Sequence, residues 1–583
     1  MRYLALATDY DGTLASGGVV AEETWEALRR LRESGRKVLL VTGRDLDDLK
    51  TICPKLDCFD RVVAENGALL YRPETGEETL LAKPPPPEFV QALRDRGVDN
   101  LAVSKAIVAS VKPSDTTILE AIRDLGLELH LVYNKDAVMV LPPGVNKATG
   151  LAAALDELGL SPHNVVGVGD AENDNAFLEA CECAAAVANA LTALRGRADV
   201  VTSAEEGRGV VELIDELLRD DLRGREPRLA RRYVLLGHEH DGAEVRLPPY
   251  GTTMLIAGPS GAGKSTVTTG LLERISEAGY QFCLIDPEGD YTELGGAVML
   301  GDTRHAPSAD EVMQLLRRPG QSVGVNLLGI PLADRPLYCA SLLPRIQELR
   351  VQTGRPHWLV FDEAHHLFPA DWQLAQTSLP THLETGLFIT VHPDQVSPAV
   401  LRHVNAVVAV GRGPGETMGN FARVLGEKGP EDVAEPSSRG EVSLWLPAGG
   451  PHEPFAVKPQ PGKAEHRRHT RKYAEGQLAP ERSFYFRGPE GKLNLRAHNL
   501  ILFLELADGV DDETWVHHLR QGDYSRWFRE AIGDDDLAGE AGAVEAENGL
   551  PAGESRSRIK DAVGRRYTLP ENPALPRVQP TAG

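Results

Sequence analysis

The sequence predicts an α/β protein made of two successive α/β domains and a smaller helical one. Short runs of Val, Ile, Leu and Ala alternate with stretches whose apolar residues recur at helical spacing, the pattern of buried strands joined by helices. Two of these strands end in loops suited to phosphate or metal chemistry, Asp9-Tyr10-Asp11-Gly12-Thr13 and Gly258-Pro259-Ser260-Gly261-Ala262-Gly263-Lys264-Ser265-Thr266. At 583 residues the chain is too long for one core, so roughly two to four domains are expected.

Composition narrows the class. Apolar content of 42% with 25% charged residues is ordinary for a folded chain. An aromatic share of 5% argues against a broad stacking surface for sugars or bases. No apolar run is long enough to cross a bilayer, and the amino terminus enters a strand pattern at once rather than a signal peptide. Six cysteines without framework spacing fit a reducing compartment, so the expectation is a cytoplasmic protein with no membrane contact. The formal charge of −23 disfavours non-specific nucleic-acid binding by the whole molecule, though not a local basic patch. Cys181-Glu182-Cys183 has a metal-pair look, but it lies in an alanine-rich run without a nearby His or Cys partner, so core packing is expected.

In the first domain, the apolar run 3–7 predicts a strand that delivers Asp9 and Asp11 at its carboxyl end, where open α/β sheets place ligands. Gly12 lets the chain turn away, and Thr13 offers a hydroxyl and an N–H to an anion. A helix is expected over 22–34, ending at Gly35, then a strand over 37–41 that stops at Thr42-Gly43-Arg44, a good phosphate contact. A third strand, 61–64, leads through Glu65-Asn66-Gly67 into 68–71 as a hairpin. After the stiff run Lys83-Pro84-Pro85-Pro86-Pro87, strands at 106–111, 127–132 and 137–141 flank a helix at 116–124, which makes a small α/β insertion. Lys147 then opens an Ala/Leu-rich helix, and the strand 165–169 reaches Asp170-Ala171-Glu172-Asn173-Asp174.

Asp-x-Asp-Gly-Thr, Thr-Gly-Arg, a Lys opening a helix and Gly-Asp-x-x-Asn-Asp follow one another in the order used by phosphatases of the haloacid dehalogenase (HAD) superfamily. Residues 1–217 resemble the Cof-type subgroup, with a cap at about 83–143 similar to that of archaeal phosphoglycolate phosphatases. The resemblance implies a Rossmann-like core and Mg²⁺-dependent hydrolysis of a small phosphorylated metabolite of the sugar or glycolate type. It implies Asp9 as nucleophile, Asp11 as general acid and base, and Thr42 and Lys147 as holders of the phosphoryl oxygens. Asp9, Asp170, Asp174 and the backbone carbonyl of Asp11 would be the metal ligands, with Asn173 orienting them.

Residues 218–231 read as a charged linker, followed by a second domain over 232–457. There a strand at 253–257, the glycine-rich loop and a helix supply the context a P-loop needs. Gly258, Gly261, Gly263, Lys264, Ser265 and Thr266 would bind the nucleotide phosphates, with Lys264 on the β- and γ-phosphates and Ser265 on Mg²⁺. The apolar strand before Asp362-Glu363 would place Asp362 by the metal and Glu363 as the base that polarises water. With Asp286-Pro287-Glu288-Gly289-Asp290-Tyr291, these motifs resemble the HerA/FtsK/VirB4 group of ATPases, which implies ATP as ligand and a homo-oligomeric ring that moves nucleic acid or protein. Val391 stands where that group usually carries Gln, and His365 and His366 read as helix-start residues.

The stretch 458–483 is basic, with Lys463, Arg467, Arg468, Arg471 and Lys472, and reads as a solvated linker, with a short polyanion contact as the alternative. A small helical domain is expected over 484–533, then a disordered acidic and proline-bearing tail over 534–583. The leading expectation is a phosphatase fused to an ATPase. A nucleic-acid end-processing kinase–phosphatase and a nucleotide-gated scaffold are the alternatives.

Overall fold

The computed structural model describes residues 1–134, 136–291, 294–371, 385–438, 440–447, 453–463, 478, 482–532, 534–547 and 549–567. Met1–Gly462 form one compact unit and Lys463–Gly583 another. The chain begins with β1 (Ala5–Thr8), β2 (Lys37–Val41), β3 (Arg61–Ala64), β4 (Leu69–Arg72) and β5 (Glu77–Leu80). It passes through β6 (Ala102–Val103), β7 (Val108–Val111), β8 (His130–Asn134) and β9 (Ala137–Leu141), and returns as β10 (Val165–Gly169), β11 (Cys183–Ala186) and β12 (Val200–Val201). The first sheet has the order β12-β11-β10-β1-β2-β3-β4-β5, parallel as far as β3. β1 is buried along its whole length, which is why it reads as an unbroken apolar run. Its register with β10 pairs Thr8 with Val168, so Asp9 and Asp170 emerge side by side.

The cap is an antiparallel sheet, β6-β7-β9-β8. Helices Pro87–Asp95 and Asp115–Asp124 cover one face, packing Phe89, Leu93 and Ile118 on Val108, Val138 and Val140. The other face sets Ile107, Met139 and Leu141 against Ala68 of the core. The strand expected at 127–132 lies further along, as β8.

The stretch 218–231, read as a linker, is packed on this core. Leu222 and Leu229 are buried in it, and Arg225 and Arg231 pair with Glu216 and Asp199 at 2.6 and 2.8 Å. These partners are distant or local carboxylates that a charge count cannot locate.

The following strands are β13 (Val234–His238), β14 (Glu244–Leu247), β15 (Thr253–Ala257), β16 (Phe282–Asp286), β17 (Ala297–Leu300), β18 (Ser322–Asn326), β19 (Trp358–Phe361), β20 (Gly386–Thr390), β21 (Ala406–Val410), β22 (Val442–Trp445) and β23 (Phe455–Pro459). They form a second sheet, β14-β13-β23-β22-β21-β15-β20-β19-β16-β18-β17, whose run from β21 to β17 is parallel. β20 thus lies between β15, which ends in the glycine-rich loop, and β19, which ends in Asp362-Glu363.

The two sheets of this unit meet at amino-terminal strand ends. Glu182, just before β11, is fully buried and accepts from Arg2 Nη2 at 2.6 Å and Tyr280 OH at 2.9 Å, with His163 Nδ1 at 2.7 Å. The Tyr280 ring stacks on His163 with centroids 3.8 Å apart. Tyr250, ahead of β15, donates to the His163 carbonyl at 3.0 Å, and Arg355, ahead of β19, donates to that of Gly159 at 2.6 Å. The carboxyl ends of the parallel strands in each sheet therefore point away from the junction, in opposite directions. The expectation of core packing fits Cys181 and Cys183, both buried thiols, but Glu182 between them is the centre of a polar cluster.

In the second unit, the hairpin β24 (Phe484–Phe486) and β25 (Leu495–Ala497) packs with helices Leu500–Gly509, Asp512–Gln521 and Asp523–Trp527 around Phe503, Trp515 and Tyr524. The disordered tail expected from 534 is corrected here: helices Asp535–Ala546 and Ala552–Tyr567 bury Leu537, Ala538, Ala541, Ile559 and Val563 in the same core. The reason is size. Ala538 and Ala541 let a helix approach closely while contributing little hydropathy, so composition alone reads as tail. Residues 568–583, and most of the basic stretch 458–483, lie outside the described residues.

Candidate functional site

The first site grows from the ends of β1 and β10. Gly12 has φ +77°, and a β-carbon there would lie 2.5 Å from Asp170 Oδ2, so only glycine lets the loop close on that carboxylate. Asp9, Asp170 and Asp174 are 5%, 4% and 0% exposed, and their carboxylates offer oxygens within 4.8 Å of one another. Lys147 enters from the first turn of helix Lys147–Leu158, which Asn146 caps by accepting from Thr149 N at 3.0 Å. Its Nζ donates to Asp9 Oδ1 at 2.5 Å and Asp174 Oδ1 at 2.6 Å. Asp174 Oδ2 accepts the N–H groups of Asp170 and Ala171, each at 2.9 Å, which folds the loop around it.

Burial, and after it the charge of Asp174, pushes the Asp9 carboxyl up from its usual range against the pull of Lys147. Burial opposes the Lys147 ammonium, but Asp174 and Asp9 hold it above its ordinary range. Three buried carboxylates facing one ammonium leave net negative charge in a dry site. That hard-oxygen donor set fits Mg²⁺, and it is the only such group among the described residues.

The remaining expected residues have separate positions. The Asp11 carboxylate stands outside the trio, held by Arg44 Nε at 2.6 Å and Nη2 at 2.7 Å. Thr42 is buried at the end of β2, its Oγ1 accepting from Arg44 N at 3.2 Å. Asn173 Nδ2 donates to Asn66 Oδ1 at 3.0 Å rather than to the trio. Motif order placed Arg44 at a phosphate contact and Asn66 in a turn, but not their partners Asp11 and Asn173, which lie 33 and 107 residues away along the chain.

The second candidate site lies at the carboxyl ends of β15, β20 and β19. Gly261 and Gly263 adopt φ +78° and +104°, and a β-carbon on Gly258 would lie 2.0 Å from the Val410 carbonyl oxygen. The loop therefore needs its glycines. Lys264, at the start of helix Lys264–Glu277, is buried, and its Nζ donates to the carbonyls of Gly258 and Pro259 at 3.0 Å each. Ser265 and Thr266 follow in the first turn, half-buried.

Asp362 is 3% exposed. Asp286 accepts from Asp290 N at 3.2 Å and Tyr291 N at 2.9 Å, closing the Asp-Pro-Glu-Gly-Asp-Tyr turn. Glu363 has φ +40°, a left-handed conformation rare for a residue with a side chain. His365, in the short helix Ala364–Leu367, lies with Nδ1 3.0 Å from Thr390 Oγ1 and 3.5 Å from Glu363 Oε2. Burial, then His366 and His392, pushes its imidazole down to about 4. The polar side chain at the end of β20 is thus Thr390, buried against His365, one position before Val391.

The haloacid dehalogenase-like hydrolase family matches residues 6–117 and 98–214. A phosphoglycolate phosphatase of Methanothermobacter thermautotrophicus is 34% identical over 219 residues, 36% of this chain and 96% of that protein. One from Natronomonas pharaonis is 31% identical over 222 residues, 36% of this chain and 96% of that one. A solved haloacid dehalogenase-like hydrolase from Bacteroides thetaiotaomicron, 20% identical, covers 37% of this chain and all of its own with a TM-score of 0.34. The chain belongs to the haloacid dehalogenase-like hydrolases. Its matched residues are those that build the first sheet and the cap, and among the described residues no helix is long and apolar enough to cross a membrane.

Proposed function

We propose that the chain is a Mg²⁺-dependent phosphomonoester phosphatase joined to an ATP-binding and ATP-hydrolysing P-loop domain. The observation that carries the first half is the buried trio Asp9, Asp170 and Asp174 with Lys147 bridging two of its members. A divalent cation bound to the trio would offset the charge of the phosphate dianion and of the attacking carboxylate. Asp9 attacks phosphorus, the ester oxygen leaves with a proton from Asp11, and an aspartyl-phosphate forms. Asp11 then takes a proton from water, which attacks phosphorus and frees phosphate and Asp9. Lys147 and Thr42 hold the phosphoryl oxygens, and Arg44, which grips both Asp11 oxygens in the resting site, must release one of them for Asp11 to carry the proton it gives. The relatives' name makes phosphoglycolate the first substrate to test, with small sugar phosphates beside it.

The ATPase half rests on the geometry of 253–410. A parallel strand, a glycine loop and a helix carry Lys264, Ser265 and Thr266, with Asp362 and Glu363 one strand away across β20. Opposite-facing sites speak against a kinase–phosphatase that works on one nucleic-acid end, because a product would have to leave one pole to reach the other. The decisive measurement is Mg²⁺-dependent phosphate release from these esters and from ATP, with fluorescent-ATP binding. Lys264→Ala is expected to weaken ATP binding roughly 10- to 100-fold, the value of a charge-assisted contact to phosphate. It should leave phosphomonoester turnover unchanged, and EDTA should abolish both activities. ATP binding without turnover would favour the scaffold, and label transfer from ATP to an oligonucleotide 5′ end would favour the kinase. Hydrolysis of no ester together with no ATP binding sinks the whole reading.

A further inference from the structure

At the end of β3, two consecutive residues with full side chains, Glu65 and Asn66, adopt left-handed backbone angles of φ +50° and +52°. Such conformations are unfavourable for residues bearing a β-carbon and persist where surrounding contacts hold them. The contacts here reach from the core into the cap. Glu65 is fully buried, and its Oε2 accepts the N–H of Ala106 at 2.7 Å and of Ile107 at 3.2 Å, while Oε1 accepts that of Lys105 at 3.3 Å. Residues 105–107 connect β6 to β7. Asn66 Nδ2 lies 2.7 Å from Met139 Sδ in β9, and its Oδ1 takes Asn173 of the acidic loop. Lys105 Nζ adds partly exposed pairs to Asp47 at 3.2 Å and Glu78 at 2.6 Å, which are worth little alone.

A buried carboxylate is tolerated when hydrogen bonds replace its water. Three cap N–H groups do this for Glu65 in only one cap position. Any displacement of 105–107 strips them and leaves a charge buried in the core. We propose that Glu65 is the clasp that fixes the cap over the phosphatase site, and is thereby a positioning residue for the leaving group. This rests on the phosphatase reading of Asp9 and its neighbours. The phosphoryl group would touch only core residues, Asp9, Thr42 and Lys147, whereas the leaving group would extend toward the cap, whose Met139 is joined through Asn66 to Asn173 of the acidic loop. Releasing the clasp loosens the second contact and spares the first.

The test uses the full chain with Mg²⁺, comparing Glu65→Ala and Glu65→Gln with the native protein. KM and kcat for the best phosphomonoester, inhibition by inorganic phosphate and hydrogen exchange at amides 105–107 are measured together. Glu65→Ala is expected to raise KM at least about tenfold, to keep the phosphate inhibition constant within about twofold, and to unprotect those amides. The near-isosteric Gln, which retains an acceptor oxygen, should fall between. Unchanged KM with protected amides overturns the proposal, as does phosphate inhibition that weakens in step with KM, which a general loss of structure would produce. Should the Ala variant not fold, the Gln variant decides by the same readouts. If the native protein hydrolyses no ester, the phosphatase reading fails, while exchange at 105–107 in the Gln variant still tests the clasp.

Discussion

Asp9→Asn is expected to lower phosphomonoester turnover by about four orders of magnitude or more, the scale seen when a covalent nucleophile is removed, and to leave ATP turnover unchanged. Asn is nearly isosteric and can still accept from Lys147, so the site keeps its shape while losing the atom that attacks phosphorus. The same change should not destabilise the fold. Burial and then Asp174 disfavour a charged Asp9, so a neutral side chain relieves repulsion in a dry site, the usual trade between activity and stability. The expected pattern without added metal is therefore an inactive protein whose thermal midpoint is at least that of the native chain. Phosphate release and calorimetry on the same preparation check both halves. Retained turnover would place the nucleophile elsewhere, and a lowered midpoint would mean that the Asp9–Lys147 contact outweighs the repulsion.

What the sequence made legible is what local chemistry encodes. Asp9 follows its strand, Gly12 its turn, Lys147 its helix start and Asp170 the next strand end, so motif order anticipated that they converge. The second loop is similar: Gly258, Gly261 and Gly263 are required by backbone angles and close approach, constraints a motif records directly. The contacts that stayed hidden are long-range. Glu65 reaches residues 105–107, Arg44 reaches back to Asp11, and Glu182 joins Arg2, His163 and Tyr280. Nothing in the spacing of these residues says that they meet. The C-terminal helices were missed for a different reason. Their buried faces are built partly of alanine, and alanine packing depends on how closely a partner approaches rather than on hydropathy.

Glu182 gives the largest expected effect on stability. Burial alone would raise its carboxyl, but the His163 and Arg2 contacts outweigh it and hold it down at about 2, against an ordinary 4.5. A depressed carboxyl contributes stability that is full above its unfolded value and is lost as pH falls through the folded one. The window therefore runs from about pH 4.5 down to about 2, and the amount is about 3 kcal/mol at roughly 1.4 kcal/mol per tenfold in proton affinity. Glu182→Ala, which leaves Arg2 and His163 facing an empty site, is expected to cost about 3–5 kcal/mol at neutral pH, read from urea unfolding of the full chain. Glu182→Gln should keep the packing and flatten the acid slope between those limits. The position of the cluster makes the result informative about architecture. The helix and strands that bring Lys264 and Asp362 to one pole, and the strands that bring Asp9 and Asp170 to the other, begin or end around Glu182. An acid transition unchanged in Glu182→Gln would mean that apolar contacts of Tyr250 and Tyr280, rather than charge, hold the two sheets end to end.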